Sequence, residues 1–493
     1  MSRRFRAPTG NGEVLAEPGF DAIPAIIAEN QRKLALPDVR IGGLSLPEIR
    51  ELAQRDVLTA AQEYTESQTG SAPNFPTDAP LLLSGHQPEL CHPGVWAKHF
   101  ALNGLAKQIG GISLNLIVDN DTLKSTVLKF PVCDGRDPTR VRLESVSFDR
   151  FDRERPYESR EIVDSECFAT FAERSATVWK NWGFEPLLNQ VWSKVVEHPA
   201  KTIGEKFSAI RHQQEREWGC ENLELPVSRL TQTRAFAEFI AHISTNAERF
   251  RDSYNTAVHA YRREHGIRSR SHPVPDLAAD ELPFWDQATD GERRSRLMQH
   301  PHAIDPCKIR PRALTLTLFL RLCLGDYFIH GIGGGKYDEV TDAIFRDFFD
   351  IEPPAYQVLS ATLQLPLPGF PTTPADMIAL ARRERDLYWN PQRHLPEPVA
   401  SLGETQSWIE RRRTLEHQEP ADRAARRRRF HELRVIGDRL RTDVEFRIED
   451  AREWRRRAEQ ELSANAILHR RDFAWVLYPD ETLRPFLQQF LEL

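Results

Sequence analysis

The sequence predicts an α/β chain: a Rossmann-like parallel sheet core with helical insertions, followed by a C-terminal α-helical coiled coil. Three observations predict it. An apolar run ending in glycine, "APLLLSG", leads into a proline-started helix and then a second apolar run, "SLNLIVDND". The same alternation returns at "DYFIHGI" and "YQVLSATLQL". Beyond residue 400 the chain becomes long, highly charged and nearly free of glycine, with a narrow apolar stripe. Buried strands alternating with helices imply parallel strands joined by right-handed crossovers. A narrow stripe on a long helix implies packing against another helix, often between subunits.

Residues 1–75 read as a helical lead-in, with "LPEIRELAQRDVLTAAQEYTES" an amphipathic helix whose Pro47 suits the first turn. Residues 76–144 begin the core. In its helix Pro93 sits at the start, Val95, Leu102, Leu105 and Ile109 recur on one face, and Gly110-Gly111 ends it. Residues 145–300 form a mainly helical insertion, typified by "TRAFAEFIAHISTNAERFRDSYNTAVHAYRREHG". Residues 301–400 resume the core as helix "RALTLTLFLRLCLG", strand "DYFIHGI", loop "GGGK", helix "YDEVTDAIFRDFFD" and strand "YQVLSATLQL". Residues 401–465 are the coiled coil, its stripe made by Leu433, Ile436, Leu440, Val444, Ile448, Ala451 and Leu462, with Pro420 separating two helices that fold back on each other. The aromatic tail 466–493 returns to the core.

Composition narrows the function classes. At 493 residues two or three structural units are expected. A net charge of -6 argues against a chain whose main business is coating nucleic acid. No run of about 18 uncharged apolar residues occurs, so no membrane span is expected; the richest run is broken by Arg321 and Asp326. The basic N-terminus lacks the apolar stretch of a signal peptide, and six cysteines without a CxxC pair read as reduced thiols of a cytoplasmic protein. The partners expected are small-molecule substrates and a second copy through the coiled coil, with no nucleic acid and no membrane.

Chemistry concentrates at strand-to-helix corners. "GHQPELCHPGVWAKHF" places Gly85, His86, Gln87, His92, Gly94 and Lys98 where a helix N-terminus meets the carboxyl edge of a sheet, the usual ligand position in such folds. Histidines there donate to anionic oxygens or move a proton near neutral pH. His86, Cys91, His92 and His99 are zinc-ligand types, but their spacing fits no closed structural site, so no metal is assigned. Asp119-Asn120-Asp121 ends the next strand, where carboxylates orient an amine or act as a base; a strand-ending turn uses the same residues. His330, Gly333, Gly334, Gly335, Lys336 and Tyr337 form a glycine turn suited to phosphate. It is not a P-loop, because His330 stands where the first glycine belongs and Tyr337 where Ser or Thr would hold Mg²⁺. Arg310 and Arg312, at a helix start, supply forks for carboxylate or phosphate, and a solvated helix entry uses the same residues. The run Arg426–Arg429 lies among glutamates and reads as a solvated or interhelical salt-bridging face.

Taken together these positions resemble the bacillithiol-biosynthesis cysteine-adding enzymes. The family's Gly-Gln-Gln loop is similar to Gly85-His86-Gln87, its Gly-Pro-started helix with a lysine to Pro93-Gly94 with Lys98, and its Asp-His-Asp segment to Asp119-Asn120-Asp121. Its later Gly-Pro-Gly-Glu turn before a tyrosine resembles Gly331-Ile332-Gly333-Gly334 before Tyr337, and its coiled coil with a short return segment resembles residues 403–493. His86 replaces the first glutamine and Asn120 the middle histidine. His92-Pro93-Gly94-Val95 also resembles the H-x-G-H motif of nucleotidyl-transferring enzymes, with Val95 in place of the last histidine. The resemblance implies a ligase that adds cysteine, or another amino acid, to the amine of a small sugar-derived acceptor. On that reading His86 and His92 stabilise developing negative charge, Asp121, with Asp119 beside it, orients or deprotonates the amine, and Lys98, Lys336 and the glycine turn hold anionic parts. Activation of the carboxylate through a phosphate or adenylate is chemically reasonable, which makes ATP or another nucleotide a candidate, although no motif fixes a cofactor. A nucleotidyltransferase-like enzyme, a non-catalytic coiled-coil scaffold and a nucleic-acid binder using the arginine-rich helix are the alternatives.

Overall fold

A computed structural model describes residues 5–76, 78–133, 137–287, 294–298 and 306–493. The expected boundary between insertion and resumed core, at 300/301, lies outside them. Six strands make the main sheet: β1 Val14–Glu17, β2 Leu81–His86, β3 Ile112–Ile117, β4 Leu223–Pro226, β5 Tyr327–His330 and β6 Gln357–Ala361. Their order is β1-β6-β5-β2-β3-β4, parallel throughout except for β1 against β6. From β2 the chain winds outward through β3 to β4, then returns to the other side of β2 for β5 and β6. The winding therefore reverses between β2 and β5, and ligand crevices in such sheets open beyond the carboxyl ends near that reversal.

Local chemistry explains the main helices. These are α1 Leu46–Thr69, α2 Pro93–Ile109, α3 Ile203–Glu217 and α4 Ile332–Phe348. A capping box starts α1, with Glu48 Oε2 accepting from Ser45 N at 2.8 Å. His92 caps α2, its Nδ1 accepting from Gly94 N at 3.1 Å, and Gly110 ends it in the left-handed region at φ 65°. Instead of burying one face, α2 is buried almost all round, because Trp96 packs on Trp475 and Trp218 at ring distances of 4.6 and 5.2 Å. Gly94 permits this: a Cβ there would lie 1.9 Å from Ala361 O of β6.

Three sequence expectations are corrected. "GGGK" is not a loop, for α4 starts at Ile332 with Gly331 as its N-cap. Close packing overrides glycine's poor helix propensity there: a Cβ on Gly335 would fall 2.3 Å from Val358 Cγ2, and Gly335 O accepts from Tyr356 OH at 2.9 Å. The stretch 145–300 contributes β4 to the main sheet, and Glu281–Gln287 pairs antiparallel with both Arg294–Met298 and Ile309–Pro311. Arg310 thus lies in a strand, and only Arg312 stands at a helix start.

The chain divides into two compact units, Met1–Phe130, Glu144–Pro366 and Arg471–Leu493 in the first, Pro131–Leu143 and Leu367–Arg470 in the second. The second contains α5 Pro374–Trp389, α6 Gly403–His417, α7 Arg423–Thr442 and α8 Glu445–Leu468. Much of the stripe expected to meet another subunit is covered inside this unit. Val444, Ile448 and Ala451 pack with Leu387 of α5, and Ile436 and Leu440 with Leu415 of α6. Among the described residues no helix is long and apolar enough to cross a membrane.

Candidate functional site

The strongest constellation gathers beyond the carboxyl ends of β3 and β4. Asp119 lies two residues past the end of β3 and is buried. Its Oδ1 accepts from Ser228 N at 2.9 Å and its Oδ2 from the Ser228 hydroxyl, Ser228 lying just past β4. Burial, and next the negative charge of Glu158, push the Asp119 carboxyl up to about 7 in spite of these bonds. Glu158 in turn is gripped by Arg310, whose Nε donates at 3.1 Å to both carboxylate oxygens and whose NH2 donates to Oε2 at 2.9 Å. A cavity of about 260 Å³ opens here, lined by Asp119, Glu158, Arg310, Ser228, Tyr64 and Arg229 among others.

Asp121 points elsewhere. Its Oδ2 accepts from Gln87 Nε2 at 3.0 Å and its Oδ1 from Thr122 N and Arg294. It lines a second cavity, about 290 Å³, with Gln87, Glu89, Lys124 and an apolar wall that includes Phe148 and Phe207. Tyr157 borders both cavities. The cause is backbone pairing: Tyr157 N donates to Asp121 O and Glu158 N to Asp119 O, both at 2.9 Å, laying this segment across the end of β3. Asn120 is a strut between them, donating to Pro311 O at 2.9 Å and accepting at its carbonyl from Arg294 at 2.6 Å.

The histidine loop takes a different place. His86 and His92 line neither cavity. His86 Nδ1 sits 3.1 Å from Gln87 O, and burial followed by Lys98 holds its pKa well below the ordinary histidine value. His92 spends Nδ1 on the α2 cap, and burial with Arg471 lowers it to about 4. Lys98, 2% exposed, donates to Gly85 O at 3.0 Å, and burial lowers it to about 8. Gly94 is a packing glycine, its open side filled by β6.

At the β5–α4 corner His330 is 6% exposed, with Nε2 2.6 Å from Asp338 Oδ2. Asp338 also pairs with Arg321 at 3.0 Å, and His330 and Arg321 hold its carboxyl below the usual range against the upward push of burial. Gly333 has open space where a side chain would be, Gly334 abuts the His330 ring, and Lys336 is exposed. Tyr337 lies 6.1 Å from His272, ring to ring. Arg312 donates to Glu281 at 2.6 Å and stacks 4.3 Å over Trp285.

A buried ionic cluster escaped sequence reading except for its His99, noted as a zinc-ligand type. Glu215 Oε1 accepts from Trp96 Nε1 at 2.5 Å and lies 2.7 Å from His99 Nδ1; Arg211 bridges Glu215 and Glu224 at 2.7 Å each, and Asn115 donates to Glu224 at 2.6 Å. One ligand atom from each of His99, Glu215 and Glu224 lies within 4.8 Å of the others, a spacing compatible with a metal. Arg211 already occupies the cation position between the carboxylates, and these two glutamates raise His212 to about 9 against the downward push of burial. Two anions facing two cations leave no charge for an ion to balance. Glu158, Ser228 and Tyr157 were also missed, having no motif around them to read. No protein-family model matches the chain, and no curated protein sequence matches it.

Proposed function

We propose that the chain is an enzyme that joins an amino acid, cysteine in the first instance, to the amine of a small sugar-derived acceptor. The observation that carries this reading is Asp119, a buried carboxyl poised at about 7 in a cavity beside the Arg310–Glu158 pair. An amine attacks an acyl carbon only as the free base, and a carboxylate that ionises near neutral pH is matched to removing that proton. In the proposed step the amine nitrogen forms a bond to the activated acyl carbon, the acyl–oxygen bond to a phosphate or adenylate breaks, and Asp119 takes the proton. ATP or another nucleotide supplies the activation. Two cavities flanking Tyr157 suit two substrates, with Gln87, Asp121 and Lys124 in the second. The motif resemblance is the other support.

The proposal includes a cytoplasmic protein and a coiled-coil arm built from α6–α8. Assembly as a homodimer would cover Trp454 of α8, 59% exposed. The test is direct. Purified chain is incubated with cysteine and glucosaminyl malate, with and without ATP, and the new amide is sought by mass spectrometry. Product from the wild type, formed at least about 100-fold more slowly by a folded Asp119→Asn variant, is the expected result. No amide under any of these conditions rejects the ligase reading.

A further inference from the structure

We propose that the outward face of α7 is a docking surface for single-stranded nucleic acid. Asp422 caps α7 by accepting from Ala425 N at 2.7 Å, and Arg423, Arg426, Arg427 and Arg428 follow within its first two turns, all exposed. Of the two readings of this run, solvated or salt-bridging, the solvated one holds for Arg426, Arg427 and Arg428. Among the described residues none of these four, nor exposed Arg434, forms an ion pair, and Arg429 donates at 3.0 Å to a carbonyl, Glu416 O. Spacings of three and four residues put Arg423, Arg426, Arg427 and Arg434 on one face around Phe430, which is 61% exposed. Ile436 and Leu440 are buried against α6, so that face is held outward.

Two features of this face are unfavourable in the free chain. Cations in the first turns oppose the helix dipole, whose positive end lies there. A large aromatic ring stands in water. A partner that brings anions and flat rings together relieves both. Guanidinium forks grip phosphates in a bidentate way that ammonium groups do not, and the stretch 367–470 has 21 arginines and no lysine. Unpaired bases stack on aromatic side chains irrespective of sequence. A second copy related by a two-fold axis would set arginine against arginine. A bilayer would gain only one inserted ring. The net charge of -6 is no obstacle, because the footprint is a clustered basic face and not the total.

The experiment is fluorescence anisotropy of the full chain with a labelled 20-nucleotide single-stranded RNA, the same strand as a duplex, polyglutamate, and vesicles rich in phosphatidylserine. RNA binding in dilute salt is expected, with log affinity falling against log salt at about 0.7 per phosphate neutralised, hence a slope of about -3 for four arginines. Combined Arg423→Gln, Arg426→Gln, Arg427→Gln and Arg434→Gln substitution should cost at least 100-fold and flatten the slope. Phe430→Ala should cost about tenfold, and Arg456→Gln on α8 nothing. No binding in dilute salt, equal binding of the duplex, tighter binding of polyglutamate or vesicles, or variants that bind like wild type would each overturn the proposal.

Discussion

Ser228 holds the carboxylate of Asp119 with both its backbone N–H and its hydroxyl, although 109 residues separate them. These bonds favour the ionised form, whereas burial and Glu158 oppose it, and the balance falls at about 7. Turnover by the proposed enzyme should therefore rise through a limb near pH 7. Asp119→Asn should lower kcat about 10²-fold or more and abolish that limb. Ser228→Ala removes one of the bonds that lower the pKa, so the limb should move to higher pH. A pH–rate profile of the three proteins decides it.

The same group makes a stability prediction. Its folded pKa lies above that of an unfolded aspartate, about 3.9, so the unfolded chain ionises first as pH rises. Stability from this residue is complete below about pH 4 and is lost progressively up to about 7. Urea midpoints between pH 5 and 8 should fall less steeply for Asp119→Asn than for wild type.

His92 runs the other way. Its folded pKa of about 4 lies below the unfolded value of about 6.5, so its contribution is present above 6.5 and lost as pH falls toward 4. His92→Ala should cost about 0.5–2 kcal/mol through the lost α2 cap, and His92→Asn should recover most of it. If His92→Asn keeps the stability yet abolishes turnover, the imidazole has a chemical role beyond capping.

Arg211 neutralises two buried glutamates at 2.7 Å each. Arg211→Met should destabilise the chain by about 3–5 kcal/mol, the usual effect of stranding buried charge. Adding Glu215→Gln and Glu224→Gln should return part of the loss, which chemical denaturation of the single and triple variants will show.

Two glycines read alike in the sequence should behave oppositely. Gly94→Ala drives a Cβ into the backbone carbonyl of Ala361 and should prevent normal folding. Gly333→Ala meets open space within a helix and should raise stability by about 0.5–1 kcal/mol. Loss of activity in that stable variant would show that a ligand approaches the α4 backbone closely. Thermal melts and turnover of both variants separate these outcomes.

By itself the amino-acid sequence determined the local pieces. Apolar runs bounded by Gly85, Pro93 and Gly110 specify β2, α2 and β3, because alternation, capping and turn chemistry act within a few residues. It also placed Asp119 and Asp121 at a strand's carboxyl end. β4 was illegible, since four residues carrying a charged Glu224 show no strand signal until Arg211 and Asn115 satisfy that carboxylate. Composition alone made the glycine run a loop, and only burial against Val358 made it helical. Tertiary structure also divided the paired aspartates between two cavities and turned His92 into a cap. Those outcomes rest on contacts with Tyr157, Ser228 and β6, whose partners lie far along the chain, and no local pattern encodes which distant group will meet which.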